Sequence, residues 1–138
     1  MKITTKGFYA VEIMRALAAW ENSLPMSLAD VEAKTGVPRS YVARILLRMK
    51  KQGLAESFRG NAGGYRLSQK PSKITLAKVF GAAGEDIAPW PEAPRVSQKQ
   101  RDPSKKRRPI ICPIDPVWRK LYDHNLAFFE HTTLADFM

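Results

Sequence analysis

Arg39, Ser40, Tyr41, Arg44, Arg48 and Lys51 fall within one short stretch, and their types and spacing suit gripping a polyanion and reading it. Duplex DNA offers phosphates, which accept any cation, and base edges, which need short or bidentate donors. Arg44 can present two parallel N–H groups to guanine O6 and N7. Ser40 and Tyr41 sit where a phosphate or base edge would approach a helix N-terminus, and Arg48 and Lys51 suit phosphates. A little further on, Arg59 precedes Gly60 in the turn Arg59-Gly60-Asn61-Ala62-Gly63-Gly64. A glycine there lets the backbone come close to a sugar-phosphate wall, so the guanidinium can enter a narrow minor groove. Taken singly, these are a solvated basic helix and an ordinary turn; their succession in the chain favours a joint role.

The elements that must position them are legible. Tyr9, Ala10, Ile13, Met14, Leu17 and Ala18 recur at helical spacing, which predicts an amphipathic helix from Gly7 to Trp20. Ser27 followed by Asp30 is a capping-box start for a second helix from Leu28 to Lys34, ended by Gly36. Pro38 opens a third helix from Arg39 to Gln52, with Val42, Ile45, Leu46 and Met49 on its apolar face and Gly53 as its stop. Leu54 to Leu67 reads as a β-hairpin around the glycine-rich turn, and Thr75 to Ala82 as a short helix with Leu76, Val79 and Phe80 inward. Helix, turn, helix and β-wing in that order is a way of holding duplex DNA.

From Pro89 to Pro109 the composition shifts to proline and cations and reads as a loop. Beyond Pro116 a helical pattern resumes and runs to the chain end, with Val117, Leu121, Leu126 and Phe128 or Phe129 as anchors. That much apolar surface beyond a loop calls for a second copy of the chain, hence a homodimer. The expected units are a DNA-binding domain over 1–84, a basic loop over 85–115, and a dimerisation helix with its tail over 116–138. The fold class is mainly α, a winged helix-turn-helix with a two-stranded β-wing and a long C-terminal dimerisation helix.

With 138 residues and 44% hydrophobic composition, the chain suits one packed core. Its 23 Lys and Arg against 13 Asp and Glu give net +10, which points to nucleic acid ahead of a membrane surface. The sequence has neither the apolar run of a membrane span nor that of a signal peptide, and its single cysteine, Cys112, excludes an intrachain disulfide framework; a cytoplasmic protein is expected.

Cys112 reads either as a small apolar residue packed beside Ile110, Ile111 and Pro113 or, with Arg107 and Arg108 near in sequence, as a thiolate open to oxidation or to a disulfide across a dimer. His124 and His131 share a helix face but are too far apart for a helical metal pair. Trp90, Trp118 and Tyr122 could line a small-molecule effector pocket or pack an interface. The run Lys99, Arg101, Lys105, Lys106, Arg107, Arg108 is either solvated loop or an arm whose phosphate contacts would each steepen the salt dependence of binding by about 0.9. Two competing classes remain. One is a non-specific nucleic-acid-binding basic protein, which would bind random and operator duplexes alike. The other is an enzyme with a Cys112–histidine pair, for which no nucleophile motif surrounds Cys112.

The stretches MKITTKGFYAVEIM, SLADVEAKTGVPRSYVARIL, GLAESFRGNAGGYRL, ITLAKVFGAAGE, CPIDPVWRKLYDHN and TLADF occur in fixed order. Over nearly its whole length the chain thereby resembles the Rrf2 family of bacterial winged helix-turn-helix transcription regulators. The resemblance implies a homodimer on a partly palindromic operator, commonly a repressor, and no catalytic activity. It places Ser40, Tyr41 and Arg44 on recognition positions and Arg59, with Gly60, on the wing. Many members hold an iron-sulfur cluster on three cysteines in the loop before the last helix. Here only Cys112 matches, at the third of those positions, and Asp115 stands where some members carry a histidine. No cofactor is therefore expected, and the signal would come from Cys112, a small-molecule effector or a protein partner.

Overall fold

The Ser27 hydroxyl accepts from the Asp30 backbone N–H at 3.1 Å, and the Asp30 carboxylate accepts from the Ser27 N–H at 3.1 Å, so the capping box forms as its spacing predicts. It starts α2 (Leu28–Thr35) in a computed structural model that describes residues 3–85 and 115–138. Before it runs α1 (Thr5–Ala18), and after it come α3 (Arg39–Lys51), β1 (Ala55–Phe58), β2 (Gly64–Leu67), α4 (Leu76–Ala83) and α5 (Asp115–His131). Single 3-10 turns lie at Pro71–Lys73 and Leu134–Phe137. The architecture is a mainly helical winged helix-turn-helix, as expected.

β1 and β2 pair antiparallel with Ala55 opposite Leu67 and Phe58 opposite Gly64. β2 has a partner on its other edge too. Tyr65 N–H donates to the Met26 carbonyl at 2.8 Å and Met26 N–H to the Tyr65 carbonyl at 3.0 Å, so Met26, just before the Ser27 cap of α2, clamps the wing to the helix-turn-helix.

Ile13, Met14, Met26, Val31, Val42, Ile45, Leu46, Met49, Ile74, Val79 and Leu134 are fully buried, and they form one core between α1, α2, α3 and α4. Burying a side chain of this size contributes about 1.5–3 kcal/mol. Leu134 comes from the far end of the chain. The Leu134 N–H donates to the Ile74 carbonyl and the Leu76 N–H to the Thr132 carbonyl, which stitches the segment after α5 into the first module. A second cluster of Leu76, Phe80 and Phe129 seats α5 on α4, with the Phe80 and Phe129 rings edge to face at 5.2 Å.

One expectation is corrected here, and the alternative of Phe128 or Phe129 is resolved. The last helix does not run to the chain end: Thr133 and Asp136 form a second capping box, which restarts the backbone as a 3-10 turn after His131. Of the residues read as anchors on that helix, Phe129 is buried and Leu126 half-buried, while Val117, Leu121 and Phe128 are 65%, 40% and 58% exposed. The core takes one edge of α5 and leaves the other open.

Candidate nucleic-acid interface

α3 turns Val42, Ile45, Leu46 and Met49 into the core and leaves Arg39, Ser40, Tyr41, Arg44, Leu47, Arg48 and Lys51 exposed. The angle between α2 and α3 is fixed in two ways. Gly36 takes a left-handed φ of 72° that a side chain would strain, and Glu32 on α2 caps the start of α3 by accepting the Arg39 N–H at 3.1 Å.

The cations on this face differ in what they touch. The Arg39 guanidinium makes two 2.9 Å contacts to Glu32, so it holds the turn together. The Arg48 guanidinium donates to the Ala83 carbonyl at 2.9 Å and thereby satisfies the C-terminus of α4. Arg44 lies with its Cζ 6.0 Å from the centroid of the Tyr41 ring, whose own edge-to-face partner is Tyr9 of α1 at 5.7 Å. Lys50 was not singled out from the sequence. Its Nζ donates to the Ser57 hydroxyl at 2.6 Å and ties α3 to β1, a contact that only the fold brings about.

In the wing, Arg59 and Gly60 are exposed at the head of the turn, where Gly60 takes φ 106° and accepts the Gly63 N–H at 2.9 Å. The Arg66 guanidinium lies over the Phe58 ring at 5.8 Å, on the same face as cross-strand Glu56. Strand alternation would have found this pair in the sequence.

Glu85 follows directly on α4 and closes the module. Its side chain, 2% exposed, accepts from the Thr4 N–H at 3.2 Å and from the Thr4 hydroxyl, and Lys6 Nζ stands 3.7 Å away. Burial works to raise its pKa, but the hydrogen bonds from Thr4, the Lys6 charge and the Gly7 N–H together outweigh it and hold the carboxyl below the ordinary value. Since the folded pKa is the lower one, this stabilisation is complete above the unfolded value and is lost as pH falls through the folded one. Asp30 and Asp136, whose pKa values their capping hydrogen bonds from Ser27 and Thr133 also lower, act in the same direction. The Glu85→Gln variant should therefore melt about 5 °C lower than the unsubstituted protein at neutral pH, with the gap closing toward pH 3 in thermal scans followed by circular dichroism.

His124 and His131 are exposed on α5, the latter with Nδ1 2.6 Å from the Ala127 carbonyl oxygen, and Tyr122 is half-buried. Cys112, Trp90, the Trp118 side chain and the basic run from Lys99 to Arg108 lie outside the described residues. Among the described residues no group of three or more His, Cys, Asp or Glu is placed to hold a metal ion, and no helix is long and apolar enough to cross a membrane.

Solved structures share this arrangement. The chain aligns with CymR of B. subtilis, a global cysteine regulator, at TM-score 0.75 and 26% identity, covering 99% of this chain and 95% of that one. The match to IscR of T. potens has TM-score 0.73 and 25% identity, covering 99% and 85%. In sequence, the HTH-type transcriptional regulator IscR of Aliivibrio salmonicida is 32% identical over 138 residues, all of this chain and 77% of that protein. The Rrf2 family, described as an iron-dependent transcriptional regulator, matches residues 3–138. With a wing clamped to a helix-turn-helix and relatives that regulate transcription through DNA, the chain belongs to the Rrf2 family of DNA-binding transcriptional regulators and is not an enzyme.

Proposed function

We propose that the protein is a homodimeric repressor that recognises a partly palindromic operator, with α3 in the major groove and the wing at the adjacent minor groove. The carrying observation is the division of labour on α3. Arg39 and Arg48 are engaged with Glu32 and the Ala83 carbonyl, whereas Arg44 projects from an exposed face beside Ser40 and Tyr41. Arg44 then reads a guanine, Ser40 and Tyr41 contact base edge or phosphate, and Lys51 contacts phosphate, with Arg39 and Arg48 adding charge near the backbone. Arg59 enters the minor groove and Gly60 allows the close approach. Repression follows where the operator overlaps a promoter and the bound dimer occludes polymerase. Enrichment from a random-sequence duplex library, followed by footprinting and transcription in vitro on the enriched site, tests the reading. Binding without sequence enrichment would favour the non-specific basic protein.

Residues 1–84 form the DNA-binding unit in this reading, 85–115 the position of a sensor loop, and 116–138 the dimerisation helix and tail. Val117, Leu121, His124, Phe128 and His131 follow one another in alternating four- and three-residue steps, the seam spacing of paired helices. Three of them, Val117, Leu121 and Phe128, are large apolar side chains exposed on α5. Leu121→Glu should convert a dimer to a monomer in sedimentation velocity at micromolar concentration and lower operator affinity at least tenfold, because two half-sites no longer act together. A dimeric Leu121→Glu protein would remove α5 from the interface.

The family description raises an iron cofactor. A cluster takes typically four cysteine thiolates, and this chain carries one cysteine, so its donor set does not fit a three-cysteine cluster. The signal is better sought in oxidation of Cys112, in a small-molecule effector or in a protein partner.

A further inference from the structure

Arg44 does not stand alone on α3. Its guanidinium lies over the Tyr41 ring, and that ring meets Tyr9 of α1 edge to face, with centroids 5.7 Å apart and planes at 75°. The three side chains form a ladder that grades from fixed to exposed. Tyr9 is half-buried and packed on the main core, Tyr41 is 46% exposed, and Arg44 is exposed. A long exposed cation normally samples many rotamers, and binding must then suppress all but one of them. Stacking on an aromatic face narrows that set beforehand, provided the ring itself is held still.

We propose that Tyr9 is a positioning residue for base readout. It touches no DNA, but by fixing the Tyr41 ring it preorganises the Arg44 guanidinium for its guanine. The proposal rests on the assignment of Arg44 as the base-reading side chain. It extends the determinants of specificity from the recognition helix to α1, on the far side of the α1–α3 contact. It also implies that the hydroxyl of Tyr9 is dispensable and its ring is not.

The test compares Tyr9→Phe, Tyr9→Leu and Arg44→Ala on the duplex that the unsubstituted protein enriches from a random-sequence library, and on that duplex with single base-pair changes. Arg44→Ala should erase the preference at one base pair of each half-site. Tyr9→Leu should lower the preference at that same base pair by about threefold to tenfold, the scale of losing one ordered side chain, with an unchanged salt slope. Tyr9→Phe should behave like the unsubstituted protein. A merely structural tyrosine would weaken every duplex by one common factor and leave the ratio alone, and that result overturns the proposal. Retained preference in Arg44→Ala would instead overturn the assignment of Arg44, so the two failures are distinguishable. A second readout needs no variant: in the DNA-free protein, ¹⁵N relaxation should show the Arg44 Nε–H more ordered than that of Arg59. Equal mobility of the two also overturns the proposal.

Discussion

Replacing Arg44 with alanine should reduce the ratio of operator to random-duplex affinity by about 5- to 150-fold, the 1–3 kcal/mol that a bidentate arginine–guanine pair contributes to discrimination. The fold should be untouched, because the side chain is exposed and so is the Tyr41 ring beside it. Two other arginines serve as contrasts. Arg59→Ala should also leave stability alone but weaken preference for the narrow minor groove of A·T-rich flanks, since its site at the head of the turn is open to solvent. Arg48→Ala should do the opposite. It removes the donor to the Ala83 carbonyl, lowers stability by about 1–2 kcal/mol, and reduces affinity without changing base preference. Competition titrations at matched salt, paired with urea unfolding, separate the three. Operator preference retained in both Arg44→Ala and Arg59→Ala would refute the roles assigned to them.

That separation was only partly legible in the sequence. Periodicity placed the cations on one face of α3, and Ser27, Gly36 and Gly53 marked where α2 and α3 start and stop, because caps and left-handed stops are local chemistry. What each cation does once there depends on partners distant in the chain. Ala83 lies 35 residues from Arg48, and nothing near Arg48 announces the contact. The same reason shifts α1: its helical spacing suggested Gly7 to Trp20, but the helix spans Thr5–Ala18, with Thr4 and Gly7 hydrogen-bonded to the Glu85 carboxylate at its head. The Tyr9–Tyr41 pair is likewise a product of helix crossing. One miss was avoidable. Thr133 and Asp136 repeat the spacing of Ser27 and Asp30, so the break after α5 carried a local signal that the apolar pattern of the last segment masked.

The wing glycines look alike in the sequence and meet different surroundings in the fold. The glycine-rich turn suggested close approach of the backbone to DNA, and Gly60 fits that role: it has a positive φ and open space where a Cβ would go. Gly64 has a different task. A Cβ there would lie 2.3 Å from the Met26 carbonyl oxygen and 2.9 Å from the Ser27 nitrogen, both backbone atoms that cannot swing aside. Gly64→Ala must therefore push β2 away from residues 26 and 27. That movement breaks the paired hydrogen bonds between Met26 and Tyr65, lifts Met26 from the core and disturbs the Ser27 cap of α2. Overpacking and the lost pairing together should cost about 3 kcal/mol, a large part of the stability of a small domain, and detach the wing from the helix that it flanks. Gly60→Ala should cost about 1–2 kcal/mol, from backbone strain alone. Gly81→Ala, in the exposed face of α4 with nothing within 4 Å, should stabilise by about 0.5–1 kcal/mol. Urea midpoints should thus rank Gly81→Ala above the unsubstituted protein, then Gly60→Ala, then Gly64→Ala. A Gly64→Ala protein as stable as its parent would mean that Met26 does not clamp the wing, and the route by which the wing is held against α3 would have to be sought in the Lys50–Ser57 contact instead.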